Sequence, residues 1–230
     1  MKKLLLILFV LVTSTQFCFS QNHVVWHIGE ADDAADGMAL APSDYKKFLE
    51  HDFGWEDRFY LVGFSTPEKD WPYVLPGPKD GWGGTGPTSG IRSHLLTILF
   101  DIEEMSEGSE FNLVVDILDC DAKFPPLFKA TVNGQSWKFN LEKGGSAEVP
   151  EKLSGPAGEQ IISIQIMAGL LEDGANEIQL TTLQGGWLAF DQVRLESSQK
   201  VALKKPDKIF LRKVDPAGYE IQKNGQNFQP

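Results

Sequence analysis

Between Ser65 and Gly90 the chain carries three flat aromatic side chains, Trp71, Tyr73 and Trp82, with the polar residues Asp70, Lys79, Asp80 and Arg92 in or beside that stretch. This mixture suits one kind of chemistry. A sugar ring presents apolar C–H faces and a rim of hydroxyls, so a binder needs an aromatic platform and a few fixed polar groups. A buried aromatic contributes about 1.5–3 kcal/mol to such a contact. The glycines around Trp82 leave both faces of its ring open, whereas Trp71 has a second reading in which it pins the long loop to the body of the fold. Trp55, among Asp52, Glu56 and Asp57, is a further candidate of the same kind. Asp32 and Asp33, beside Glu30, are candidates for a structural calcium ion held through oxygen ligands, though a solvated acidic turn is the simpler reading.

Other chemistries leave no comparable trace. The sequence has no Gly-rich loop followed by Lys, no His-Glu-x-x-His and no Gly-x-Ser-x-Gly. His23, His27, His51 and His94 are scattered, and a lone strand histidine is read as structural. Cys120 lies between Asp119 and Asp121, whose charges do nothing to favour a thiolate. Carboxylate pairs serve glycoside hydrolysis, but among 32 acidic residues chance pairing is common. No residue is assigned a catalytic role, and no cofactor is expected beyond the calcium ion.

The elements that must position these residues read as strands. Apolar and alternating runs cover 24–28, 57–64, 94–102, 110–118, 127–132, 136–141, 161–168, 176–182 and 187–196. In Phe111–Ile117 the odd positions are apolar and would face a core. Turn signals separate the runs, among them Asn133-Gly134, Lys143-Gly144-Gly145 and Gln184-Gly185-Gly186. Helical signals are confined to Pro42–Leu49, with Ser43 or Asp44 as cap. Many short strands with almost no helix predict an all-β fold, a jelly-roll β-sandwich of galactose-binding-like type. The stretch 65–90 is predicted as a long irregular insert, which in a compact domain is usually functional. Trp26, Trp187 and Phe190 are predicted core; Asp191 and Arg194 would form an ion pair or receive backbone donors.

Composition and termini bound the rest. Met1-Lys2-Lys3 precedes the apolar run Leu4–Val12 and the segment Cys18-Phe19-Ser20, the layout of an export signal too short to span a bilayer. Cleavage after Ser20 predicts a secreted or periplasmic protein and leaves Cys120 without an intramolecular disulfide partner, so stability rests on the core. The whole chain has a formal charge of −11, and losing Lys2 and Lys3 leaves 19 basic against 32 acidic residues, or −13. Such a surface repels phosphate backbones and excludes nucleic acid as a natural partner. It also disfavours polyanionic glycans unless a local basic patch, for which Lys79 and Arg92 are the candidates, overrides it. The predicted organisation is a signal at 1–20, one sandwich domain at 21–198, and a linker or the start of a following domain at 199–230.

Two groups of segments together resemble a known family. The first is Trp26–Asp33 with Phe59–Ser65 and Asp70–Tyr73; the second is Gly174–Thr181 with the closing run Gly186–Glu196. Their order is similar to the carbohydrate-binding-like jelly-roll domain of rhamnogalacturonan lyases (polysaccharide lyase family four), and related modules occur in other secreted polysaccharide-degrading enzymes. In those lyases the domain sits behind a catalytic domain, whereas here it follows the export signal directly. Asp36-Gly37-Met38 stands where the family's pattern places an acidic-aromatic pair. The lyase catalytic residues belong to a domain outside the match, so none is carried over. The resemblance implies a secreted, non-catalytic module that binds a polysaccharide or oligosaccharide, accessory to pectin or algal glycan degradation and attached to a catalytic domain in a longer parent chain. Two alternatives stand beside it: a lyase or hydrolase with a site under the 65–90 loop, and a structural or interaction protein of the envelope.

Overall fold

The computed structural model describes residues 22–48, 53, 58–83, 93–150, 158–167, 169–205, 209–214, 218–223 and 226–227. The expected export signal lies outside them. In chain order the strands are β1 (His23–Ile28), β2 (Arg58–Leu61), β3 (Val74–Leu75), β4 (Leu95–Glu104), β5 (Phe111–Cys120), β6 (Leu127–Val132) and β7 (Gln135–Asn140). They continue as β8 (Gln160–Ile166), β9 (Gly174–Gln184), β10 (Leu188–Ser197), β11 (Ala202–Lys204), β12 (Ile209–Val214), β13 (Gly218–Lys223) and β14 (Gln226–Asn227).

Two sheets form the sandwich that the alternating runs predict. One has the order β1-β10-β5-β8, with β3 beside β10; the other runs β11-β4-β9-β6-β7, with β2 beside β4. Alternation explains the packing. On β5, Phe111, Leu113, Val115 and Ile117 point inward and are 6%, 0%, 0% and 0% exposed. Trp26 of the first sheet meets Phe100 of the second with ring centroids 5.5 Å apart. Trp187 and Phe190 are buried as expected. Beyond the predicted domain end, β11 adds to the β4 edge, and β12, β13 and β14 pair as a separate three-stranded antiparallel sheet.

Two departures have physical causes. The Pro42–Leu49 signal yields only a single 3₁₀ turn at Tyr45–Lys47, and Asp44 makes no side-chain cap; its carboxylate instead lies 3.3 Å from the Lys47 ammonium. The 65–90 insert is structured over its described part: α1 (Pro67–Asp70), then β3, then a 3₁₀ turn at Gly81–Gly83. Its length follows from topology. β2 and β4 pair in parallel, and a parallel pair needs a long crossover rather than a tight turn.

Candidate functional site

The crossover turns its aromatic residues inward. Trp71 is 1% exposed and packs on Phe190 at 5.5 Å and, edge-on, on Tyr60 at 5.9 Å. Tyr73 is fully buried and its hydroxyl donates to the Pro42 carbonyl at 3.2 Å; burial, with Tyr45 and Asp44 nearby, pushes its phenol well above the ordinary range. These rings offer no face to a ligand, so the loop-pinning reading is the one that fits Trp71, and Tyr73 joins it. Trp82 is half-buried, with its ring edge-on to Tyr45 at 4.9 Å and to Phe48 at 6.4 Å. Asp80 is buried and accepts the Gly77 N–H at 2.7 Å. Burial pushes its carboxyl up to about 7, against the Gly77 N–H and with help from Asp121. Trp55 and Arg92 lie outside the described residues. Among the described candidates, Trp71, Tyr73 and Asp80 are buried and Trp82 is partly exposed, so these four do not form an open platform.

Asp32 and Asp33 lie in the bend after β1. Both are exposed, and Asp32 accepts the Ala34 N–H at 3.2 Å. A bulge in β10 leaves Asp191 unpaired against β5, and its carboxylate accepts the same Ala34 N–H at 3.3 Å. Burial, then Asp116, raises Asp191 to about 6 despite those backbone donors. Among the described residues no group of three or more His, Cys, Asp or Glu side chains lies together as a metal-ligand cluster. Cys120 is buried and its thiol, pushed up to about 11 chiefly by burial, donates to the Glu142 carbonyl at 3.2 Å.

What the strands do bring together is a polar surface on the outer side of the first sheet. The residues alternating with the core rows of β5, β8 and β10 place Glu196, Asn112 and Gln165 side by side across three strands. Arg194 organises one edge: its Nε donates to Glu196 Oε1 at 2.7 Å and its Nη1 to Gln192 Oε1 at 3.1 Å. Asn22 Nδ2 donates to the other Glu196 oxygen at 3.0 Å, and Ser163 Oγ donates to Asn112 Oδ1 at 2.9 Å. Burial pushes Glu196 up, but its bonds from Arg194, Asn22 and Asn112 outweigh that and hold it below the usual carboxylate range. Glu196 is thus ionised and oriented rather than poised to move a proton.

An open depression of about 270 Å³ lies here, lined by Asn22, Glu110, Asn112, Ser163, Gln165 and Glu196 among others. A second, of about 330 Å³, shares Glu110 and Gln165 with it and continues the groove toward Met167. Amides, hydroxyls and carboxylates supply paired donors and acceptors, the complement of a row of sugar hydroxyls. Sequence reading missed this surface because none of its residues is unusual alone. The signal was the polar half of the same alternation: Asn112 on β5, Ser163 and Gln165 on β8, Gln192, Arg194 and Glu196 on β10.

The model of the family described as CBM-like, polysaccharide lyase family 4, domain III, matches residues 24–195. A search of curated proteins returns no match. Among solved structures, BuGH86wt in complex with neoagarooctaose is similar at 14% identity and TM-score 0.32, covering 55% of this chain and 18% of that one. A family GH115 4-O-methyl-α-glucuronidase with specificity for decorated arabinogalactans is similar at 14% identity and TM-score 0.29, over 53% and 16%. A family 35 carbohydrate-binding module from an environmental isolate is similar at 13% identity and TM-score 0.29, over 54% and 91%. The chain thus spans less than a fifth of the first two. The family match begins inside β1 and ends inside β10, so it covers most of the first sheet, with Asn112, Ser163, Gln165 and Arg194 inside it and Asn22 and Glu196 just outside. By that match the chain belongs to the CBM-like domain III family of polysaccharide lyase family 4.

Proposed function

We propose that the chain is a secreted, non-catalytic carbohydrate-binding module, accessory to the degradation of a pectic or algal polysaccharide and part of a longer polysaccharide-degrading chain. The groove on the first sheet carries this reading, because its lining is made of hydrogen-bonding groups already ordered by one another. Ordered partners reduce the entropy lost when a ligand is immobilised. Family membership supports the sugar class. Among the described residues no helix is long and apolar enough to cross a membrane. Calorimetry of the full chain against pectic and algal polysaccharides is the test. Binding to at least one is expected, with a loss of about tenfold when Asn112 and Gln165 are both replaced by Ala, since each removes hydrogen bonds of modest net worth. Absence of binding to every polymer would overturn the reading.

A further inference from the structure

Away from the sheet groove, three loops meet at one end of the sandwich. Lys79 N–H donates to the Gly185 carbonyl at 3.0 Å, and Gly186 N–H to the Phe124 carbonyl at 2.8 Å. Gly185, at φ +84°, approaches so closely that a Cβ there would lie 2.5 Å from the Pro125 carbonyl oxygen and 2.7 Å from that of Phe124. Asp121 Oδ1 accepts the Lys123 and Phe124 N–H groups at 2.7 and 3.0 Å, which fixes the turn that carries both residues. This scaffolding displays an apolar ring: Phe124 is 42% exposed. Two exposed ammonium groups from separate loops stand over it, Lys123 Nζ at 5.2 Å and Lys79 Nζ at 5.7 Å from the ring centroid.

Charge makes the arrangement selective. The neighbouring carboxylates are turned inward, Asp121 at 4% exposure onto its own turn and Asp80 at 7% onto Gly77. Two cations are therefore left at the surface of a chain whose formal charge is −11. The sheet groove has the opposite character, since Glu110 and Glu196 line it.

We propose that Phe124, Lys79 and Lys123 form a subsite for an anionic sugar unit, one bearing a carboxylate or a sulfate ester. The sugar lays its C–H face on Phe124 as the two ammonium groups leave the ring for its anionic substituent. Exposed cation–π contacts are weak, so the lysines exchange the ring for an anion at little loss. Hydroxyl-rich units of the same chain would occupy the sheet groove. The inference rests on the carbohydrate-binding reading above.

Calorimetry of the full chain with polygalacturonate, a sulfated galactan, and their carboxyl-reduced and desulfated counterparts tests it. Tighter binding to one charged polymer than to its neutral counterpart is expected, weakening as salt rises; which polymer shows the preference identifies the substituent. Lys79→Gln and Lys123→Gln should each lose about fivefold in affinity for that polymer while leaving neutral polymers unaffected, the scale of one exposed ion pair. Arg at either position should restore it, and Phe124→Ala should weaken binding with an unchanged melting temperature. Wild-type affinity for the charged polymer in the double Gln variant, or equal affinity for charged and neutral polymers, overturns the subsite. If neutral polymers still bind through Asn112 and Gln165, the subsite alone fails; if nothing binds, the module reading fails with it.

Discussion

Residues 71–75 and 121–126 lie at the same end of the sandwich, and both carry aromatic rings in or beside irregular backbone. Yet Trp71 and Tyr73 are 1% and 0% exposed whereas Phe124 is 42% exposed. The difference comes from what each segment pairs with. Val74 and Leu75 add β3 to the edge of β10, and that pairing draws the flanking Trp71 and Tyr73 over the core against Phe190 and beneath Pro42. The 121–126 turn pairs only through backbone groups and a carboxylate, so its ring stays outside. An aromatic residue in a long loop is thus no guide to a ligand until the strand pairing of that loop is known.

Trp71→Ala breaks this comparison most directly. Removing a ring buried to this degree should cost about 3–5 kcal/mol and lower the melting temperature by about 10 °C. Phe124→Ala should change stability by no more than about 0.5 kcal/mol. Differential scanning calorimetry of the two variants checks both. A Trp71→Ala protein that melts like wild type would return Trp71 to the surface and the sugar platform to the loop.

The sequence revealed the strands better than the site, and for a physical reason. Core alternation is a strong, local signal: the odd residues of 111–117 and the runs at 127–132 and 187–196 each became strands within a residue or two of their expected ends. Trp26, Trp187 and Phe190 were legible as core because each sits inside such a run. The groove was not, since Asn112, Gln165 and Glu196 become neighbours only through the register of β5 with β8 and β10. Phe124 escaped notice for the same reason: Lys79 stands more than forty residues away in sequence and reaches it through Gly185. Trp71 misled because its composition-level surroundings are those of a binding loop, while its fate was set by the two-residue strand that follows it.

Acid sharpens the contrast between the loop end and the sheet face. Burial lifts Asp80 from 3.8 to about 7, with Asp121 adding to it and the Gly77 N–H opposing. Folding therefore raises this carboxyl above its unfolded value. The stabilisation that results is fully present below about 3.8 and is lost as pH rises through about 7. Asp191, raised to about 6, has the same sign. Asp80→Asn keeps an acceptor for the Gly77 N–H and removes the charge. It should raise the melting temperature at pH 8 by a few degrees, about 1–3 kcal/mol, and leave it unchanged at pH 4. An equal effect at both values would mean that Asp80 is not ionised unfavourably in the folded protein.

Glu196 supplies the opposite case and the smallest effect. Burial alone would raise its carboxyl, but Arg194, Asn22 and Asn112 bring it below 4.5, so its contribution is present above that value and is lost as pH falls through the folded pKa. The Arg194–Glu196 pair is partly screened, with side chains 23% and 15% exposed, which limits it to about 1 kcal/mol. Arg194→Gln should lower stability by that amount at pH 7, by progressively less in acid, and should move the Glu196 titration upward in carbon-detected NMR. The two substitutions then diverge in opposite directions at high pH and converge on wild type at low pH. That pattern is what separates a carboxyl confined beneath a loop from one held on a sheet, because only the second is oriented where a hydroxyl can reach it. Parallel pH profiles for the two variants would remove the distinction and, with it, the reason to look for the ligand on the sheet.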